Sequence, residues 1–297
     1  MKSRCPSLLR QKNGEKWQME KVKNNFVWPV VAVVCTCIIA SGVYLGLKDY
    51  QAKPKMATWQ SDPIIDTPEP NIITTEELFG GDDANVWFES GVAFGKVGRY
   101  QDAIESFKQA DRFKPDDADT HYNLGVIYSK LGRWQDAIES YKQAIRIKPD
   151  YAEAHNNLGV IYGNLGRYKD AIKSSKHAIR INPDLAEAHY NLGVAYLKLD
   201  RYQDAIESLK QAIRIKPDYA SAHANLGAAY LKLDRYQDAI KSLKQAIRIN
   251  PELSEAHLNL GLNYLLVGDK GSALEEYKTL KTLDTELANK LLNLIYQ

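Results

Sequence analysis

Five histidines recur at one constant spacing, at His121, His155, His189, His223 and His257. Imidazole is the commonest metal ligand, so a zinc centre is the first chemistry to weigh. Zinc needs its ligands within ~2.1 Å of one point. Side chains on successive packed helices start about 8–10 Å apart. Five evenly spaced imidazoles therefore favour packing, and no metal site is expected. His177 stands outside the series and is uninformative. The carboxylates Asp102, Asp136, Asp170, Asp204 and Asp238 share the period and read as solvated helix starts. There is no Walker loop, dinucleotide fingerprint, nucleophile elbow or HExxH. The cysteines are Cys5, Cys35 and Cys37 alone. A disulfide framework or four-cysteine zinc site in the repeated part is thus excluded. No catalytic residue and no cofactor are expected, and an enzyme is disfavoured.

The period must come from the elements carrying these residues. Prolines recur at Pro115, Pro149, Pro183, Pro217 and Pro251, with glycines from Gly91 to Gly261 and alanines from Ala103 to Ala273 on the same spacing. Six units follow: 84–117, 118–151, 152–185, 186–219, 220–253 and 254–287. Within one unit, Leu124, Ile127, Tyr128 and Leu131 give the i, i+3, i+4, i+7 stripe of a first helix. Gly132-Arg133 breaks it. Ala137, Ile138, Tyr141, Ala144 and Ile145 form a second stripe, and Pro149 stops that helix. Asp150 with Glu153, and Asp184 with Glu187, read as capping boxes for the next first helices. Asp82 falls in the same register as Asp116. Residues 286–297 predict a capping helix with Leu287, Leu291, Leu294 and Ile295 on one face.

These residues resemble the tetratricopeptide repeat family over 84–287. The first unit supplies Trp87, Gly91, Phe94, Ala103, Phe107, Ala110 and Pro115. The fourth supplies Leu192, Gly193, Tyr196, Ala205, Ala212 and Pro217. The leading aromatic is replaced by histidine in the later units, and Thr285 stands where the last proline is expected. The resemblance implies an all-α, right-handed solenoid of six helix pairs over 84–287; the capping helix and one preceding transmembrane helix are read from the residues on either side of it.

It also implies that the first helix of each pair lines a concave groove. That groove receives Asn123, Asn157, Asn191, Asn225 and Asn259, each before its Leu-Gly pair. An amide presents both donor and acceptor, which suits the backbone of an extended peptide. The competing reading is that asparagine is common at this family position. Neighbours on the face are Phe88, Tyr122, Asn156, Tyr190, Ala224 and Leu258, then Val92, Val126, Val160, Val194, Ala228 and Leu262. Leu258, Leu262, Leu265 and Leu266 make either an apolar pocket or a seat for the capping helix. The groove acids Asp119, Glu153, Glu187 and Glu255 disfavour a clamp for C-terminal carboxylates of the kind that chaperone adaptors carry.

The 297 residues carry 39 Lys plus Arg against 37 Asp plus Glu. A net charge of +2 gives no basis for nucleic-acid binding. The balance hides segregation. Residues 1–26 hold seven basic and two acidic residues, and 48–83 hold three basic and eight acidic. Between them, the stretch 27–47 carries no charge. At 1.5 Å per residue it spans ~31 Å, enough to cross a bilayer core. The positive-inside rule puts 1–26 in the cytoplasm and the repeats outside the inner membrane, in the periplasm of a bacterium. A cleaved signal peptide is the alternative, with Ala40-Ser41-Gly42 as its cleavage site. Residues 48–83 read as an acidic, proline-containing linker.

The function expected is a single-pass membrane-anchored scaffold that binds peptide segments of partner proteins. Two other readings stay open. One is a non-catalytic subunit that positions a transferase or other enzyme. The other is a self-associating structural tether.

Overall fold

The computed structural model describes residues 83–296. The basic tail 1–26, the apolar segment 27–47 and the linker up to residue 82 lie outside the described residues. Among the described residues, no helix is long and apolar enough to cross a membrane.

Thirteen helices and no strand form among the described residues. They run as six antiparallel pairs: α1 Ala84–Lys96 with α2 Tyr100–Phe113, α3 Ala118–Lys130 with α4 Trp134–Ile147, and α5 Ala152–Asn164 with α6 Tyr168–Ile181. The series continues with α7 Ala186–Leu197 and α8 Tyr202–Ile215, α9 Ala220–Lys232 and α10 Tyr236–Ile249, and α11 Ser254–Leu266 and α12 Lys270–Leu283. A final helix, α13 Thr285–Ile295, closes the array. The architecture is the all-α solenoid expected.

The second helices are strongly two-sided. In α4, Ala137, Ile138, Tyr141 and Ala144 are all buried, at the spacing of one helical face. Burying such an Ile is worth ~1.5–3 kcal/mol. The small residues set how closely the pair approaches. A Cβ on Gly125 would lie 2.6 Å from the Tyr141 ring, so only glycine lets α3 sit against that aromatic. Each second helix packs on its own first helix and on the first helix of the next pair. First helices also touch the next first helix, while no two second helices approach comparably among the described residues. The first helices therefore line the shorter, inner side of the array.

The turn within each of the first five pairs is closed by the same device, and in the sixth Asp269 caps α12 through the Ser272 amide. Arg133 donates to Asp136 at 2.7 Å and lies 4.5 Å over the Tyr128 ring. Arg99, Arg167, Arg201 and Arg235 repeat this against Asp102, Asp170, Asp204 and Asp238. The recurring aspartates are thus ion-pair partners as well as helix starts. The turn needs one residue in the left-handed region. Gly98, Gly132, Gly166 and Gly268 supply it, but Asp200 and Asp234 hold the position at φ 56° in the fourth and fifth units.

The caps between pairs differ from expectation. The cap falls one residue later, at Asp83, where Oδ1 accepts from the Asn85 amide, and at Asp117, which accepts from Thr120. In the following units that position is Tyr151, Leu185, Tyr219 and Leu253, and none makes a side-chain cap bond. Asp150 and Asp184 cap nothing. The turn after proline places them one residue too early, and Asp150 instead offers its backbone carbonyl to Ala152.

At the C-terminal end, Asp284 caps α13 through the Leu287 amide. Ala288, Leu291 and Ile295 are buried against the last pair, whereas Leu294 turns to solvent and is 46% exposed. Leu258, Leu262 and Leu265 pack into the same cluster as α13. Of the two roles open to them, they serve as the seat of the capping helix. Leu266 stays outside it, at 58% exposure.

Candidate functional site

The site is built on the inner helices, and its histidines come first. Each Nε2 meets the carbonyl oxygen of the proline six residues before it. The distances are 3.3 Å for His121 to Pro115, 3.1 Å for His155 to Pro149, and 2.9 Å for His189, His223 and His257 to Pro183, Pro217 and Pro251. Proline ends the helix, and its carbonyl needs a donor in the loop. The histidine supplies one, which explains its period. The rings therefore tie loops to helices. His257 is itself buried and pairs through Nδ1 with Glu276 at 2.6 Å. No group of three or more metal-ligating side chains converges among the described residues.

The asparagines Asn123, Asn157, Asn191, Asn225 and Asn259 all lie half-buried on the first helices, one per unit from the second to the sixth. Their amides are not equivalent. Asn157 donates to the Tyr122 hydroxyl at 3.1 Å, across the boundary between units. Asn225 donates to the Tyr190 hydroxyl at 3.1 Å, and Asn191 to the Asn156 side-chain carbonyl at 2.9 Å. Each of these bonds clips one first helix to the one before it. Asn123 has Phe88 at the corresponding place, which offers no acceptor, and donates instead to the Asp119 carbonyl of its own helix. Asn259 faces Ala224 in that register and offers its backbone oxygen to Asn263.

Phe88 packs edge-on against Phe107, with centroids 5.7 Å apart. Val126, Val160 and Val194 are half-buried one helical turn beyond the amides. They form an aliphatic row along the first helices beside the polar one.

Two residues that the sequence did not single out complete the face. Tyr151 stacks on Tyr122 at 5.0 Å, and Tyr219 lies tilted against Tyr190 at 4.8 Å. Both new tyrosines come from the loop before a first helix, at the cap position. The Tyr151 hydroxyl donates to Asp119 at 2.6 Å. Burial raises its pKa first, and the hydrogen bond and charge of Asp119 raise it further. Burial, then the neighbouring Tyr190 and Glu187, push the Tyr219 hydroxyl up to about 12. These tyrosines stay neutral near pH 7 and act as rings and donors, not as bases. A usable signal was present: the cap position reads Asp117, Tyr151, Leu185, Tyr219, Leu253 in series.

Family models described as TPR repeat match residues 91–132 and 127–166. Others described as tetratricopeptide repeat match 150–218, 184–252 and 224–286. Among solved structures, pilF of Pseudomonas aeruginosa is 19% identical over 71% of this chain and 96% of its own, with a TM-score of 0.64. A MamA structure is 30% identical over 56% of this chain and 97% of its own, with a TM-score of 0.51. YrrB, described as a TPR protein with an unusual peptide-binding site, is 21% identical over 64% of this chain and 99% of its own, with a TM-score of 0.54. For pilF and YrrB the likeness is one of fold. No curated protein matches the chain.

Proposed function

Residues 91–286 belong to the tetratricopeptide repeat family, and from that premise we propose that the chain is a membrane-anchored scaffold whose inner groove binds peptide segments of partner proteins. The observation that carries this reading is the row of half-buried amides on successive first helices. In Asn157, Asn191 and Asn225 one N–H is spent on the neighbouring unit. A second N–H and carbonyl capacity remain for the backbone of an extended peptide. Recognition needs no chemistry. The cross-repeat bonds fix the amides before a partner arrives, which lowers the ordering cost of binding.

The uncharged segment 27–47, with basic residues before it, supports a single-pass anchor with the repeats outside the cytoplasm. The acidic linker would hold the groove away from the bilayer surface. Protease added outside the inner membrane should digest the repeats and spare 1–26; protected repeats would reverse the orientation.

The groove itself is tested by replacing Asn123, Asn157, Asn191, Asn225 and Asn259 with alanine. Crosslinking in intact cells should then recover fewer partners, with circular dichroism confirming that the array stays helical. An unchanged partner set from a folded variant would remove the groove from the reading.

A further inference from the structure

The groove is not uniform along its length. The tyrosine pair Tyr122–Tyr151 recurs as Tyr190–Tyr219, with each member displaced by two units. The clipping asparagine recurs with it, as Asn157 and Asn225. In the unit between, Asn156 and Leu185 stand in the two tyrosine positions, so no pair forms. Carboxylates sit on the same rim. Asp119 takes the Tyr151 hydroxyl at 2.6 Å, and Glu187, its counterpart two units on, lies 3.8 Å from the Lys216 ammonium that sits over Tyr219. Glu153 and Glu255 stand in the same helix position in the third and sixth units.

Each ring pair already accepts an ammonium group from the chain itself. Lys148 Nζ lies 4.6 Å from the Tyr151 ring centre, and Lys216 Nζ lies 5.1 Å from that of Tyr219. An aromatic face beside a carboxylate is the general environment for a cation. The rim's other lysine, Lys114, is held by Asp117 at 2.9 Å. Lys216 is also drawn to Glu187, at 3.8 Å. The acids Asp119 and Glu153 have no lysine or arginine partner among the ion pairs of the described residues.

We propose that the groove takes a basic peptide, whose two cationic side chains displace the exposed Lys148 and Lys216 from two tyrosine–carboxylate notches set two units apart. This rests on the peptide-groove reading and names the partner's chemistry. Successive first helices pack about 10 Å apart, which puts the notches ~20 Å apart. An extended chain advances ~3.3 Å per residue, so the two cations fall about six residues apart.

The test uses the full chain and labelled peptides of about fourteen glycine and serine residues. One carries two arginines six apart, one two arginines three apart, one a single arginine, and one two glutamates six apart. The six-apart pair should bind about tenfold tighter than the single arginine. Asp119→Asn and Glu187→Gln, both at solvent-facing carboxylates, should each erase most of that gain, and raised salt should weaken it. Equal binding of the glutamate peptide, or no effect of spacing, overturns the inference. The groove reading survives that result provided Asn157→Ala and Asn225→Ala still weaken peptide binding. Peptide binding indifferent to those asparagines overturns the groove reading as well.

Discussion

Asn157 donates its side-chain amide to the Tyr122 hydroxyl at 3.1 Å, and two units further along Asn225 makes the same bond to Tyr190. Asn157, Asn191 and Asn225 are therefore part of the mortar between units before any partner is considered. Loss of a net hydrogen bond of this kind costs about 0.5–1.5 kcal/mol. Asn157→Ala and Asn225→Ala should each destabilise the array by about 1 kcal/mol. Asn123→Ala should be neutral or slightly stabilising. Its amide only serves its own helix carbonyl, and alanine is the better helix former. Urea unfolding of the three single variants checks this. Equal costs at all three positions would contradict the cross-repeat role.

A second expectation comes from the turn inside each pair. Asp200 and Asp234 occupy the left-handed position that glycine fills in four other units. An L side chain there costs roughly 1–2 kcal/mol, and glycine gives back part of that through its freer unfolded chain. The hydroxyl bonds of Tyr202 to Asp200 and Tyr236 to Asp234 are exposed and offset little. Asp234→Gly should stabilise by about 0.5–1 kcal/mol. Gly132→Ala, which places a side chain at φ 69°, should cost about 1–2 kcal/mol. Thermal melts of both variants decide it, and a destabilising Asp234→Gly would mean that the tyrosine bond outweighs the backbone.

A third concerns the middle of the array. Phe107, Tyr141, Leu209 and Leu243 each fill the space against the glycine of their own first helix. In the third unit that residue is Ser175, fully buried, with no partner for its hydroxyl. The main buried cluster of the first three units thins out here, and separate clusters take over in the fourth and fifth. Ser175→Leu removes an unsatisfied hydroxyl and adds apolar burial, together worth several kcal/mol before repacking strain of about 1–3 kcal/mol. The net expectation is a stabilisation of about 1–2 kcal/mol. Denaturant unfolding of that variant beside Ser175→Ala separates the two contributions. Loss of stability in both would show that the site is already closed around serine.

The repeat was legible in the sequence because its causes are local. Pro149 stops a helix by its own ring, and Gly125 and Ala137 sit at a close approach fixed within one unit. The stripe Ala137, Ile138, Tyr141, Ala144 needs only the helical period. What was not legible depends on geometry between helices of different pairs. The cap shifts from Asp116 to Asp117 because of how the post-proline turn rises. The histidine period is visible, but its cause is a proline carbonyl that only the folded loop brings into reach. Tyr151 meets Tyr122 from the far side of a whole helix pair, and neither residue hints at the other. Leu294 obeys the helical spacing of α13 yet faces solvent, since the last pair offers a seat only as wide as Ala288, Leu291 and Ile295.

The third unit also carries a pH response. His177 lies on α6, where the first, second, fourth and fifth units have Gln109, Gln143, Gln211 and Gln245 and the sixth has Thr279. It stacks on His155 at 5.4 Å. Burial lowers its pKa below the ordinary 6.5, and the nearby Arg180, His155 and Lys173 lower it further. The folded chain thus refuses a proton that the unfolded chain accepts once the pH falls below about 6.5. Where the unfolded state binds more protons, stability rises with pH. The array should therefore lose stability as pH drops from 7 through 6.5, and the loss should level off below the folded pKa. His177→Gln restores the residue of the neighbouring units and removes the titrating group. Melting temperatures of the two proteins between pH 5 and pH 7.5 should converge at the upper end and separate at the lower, with the variant the more stable. Parallel curves would remove His177 as the source of the acid sensitivity.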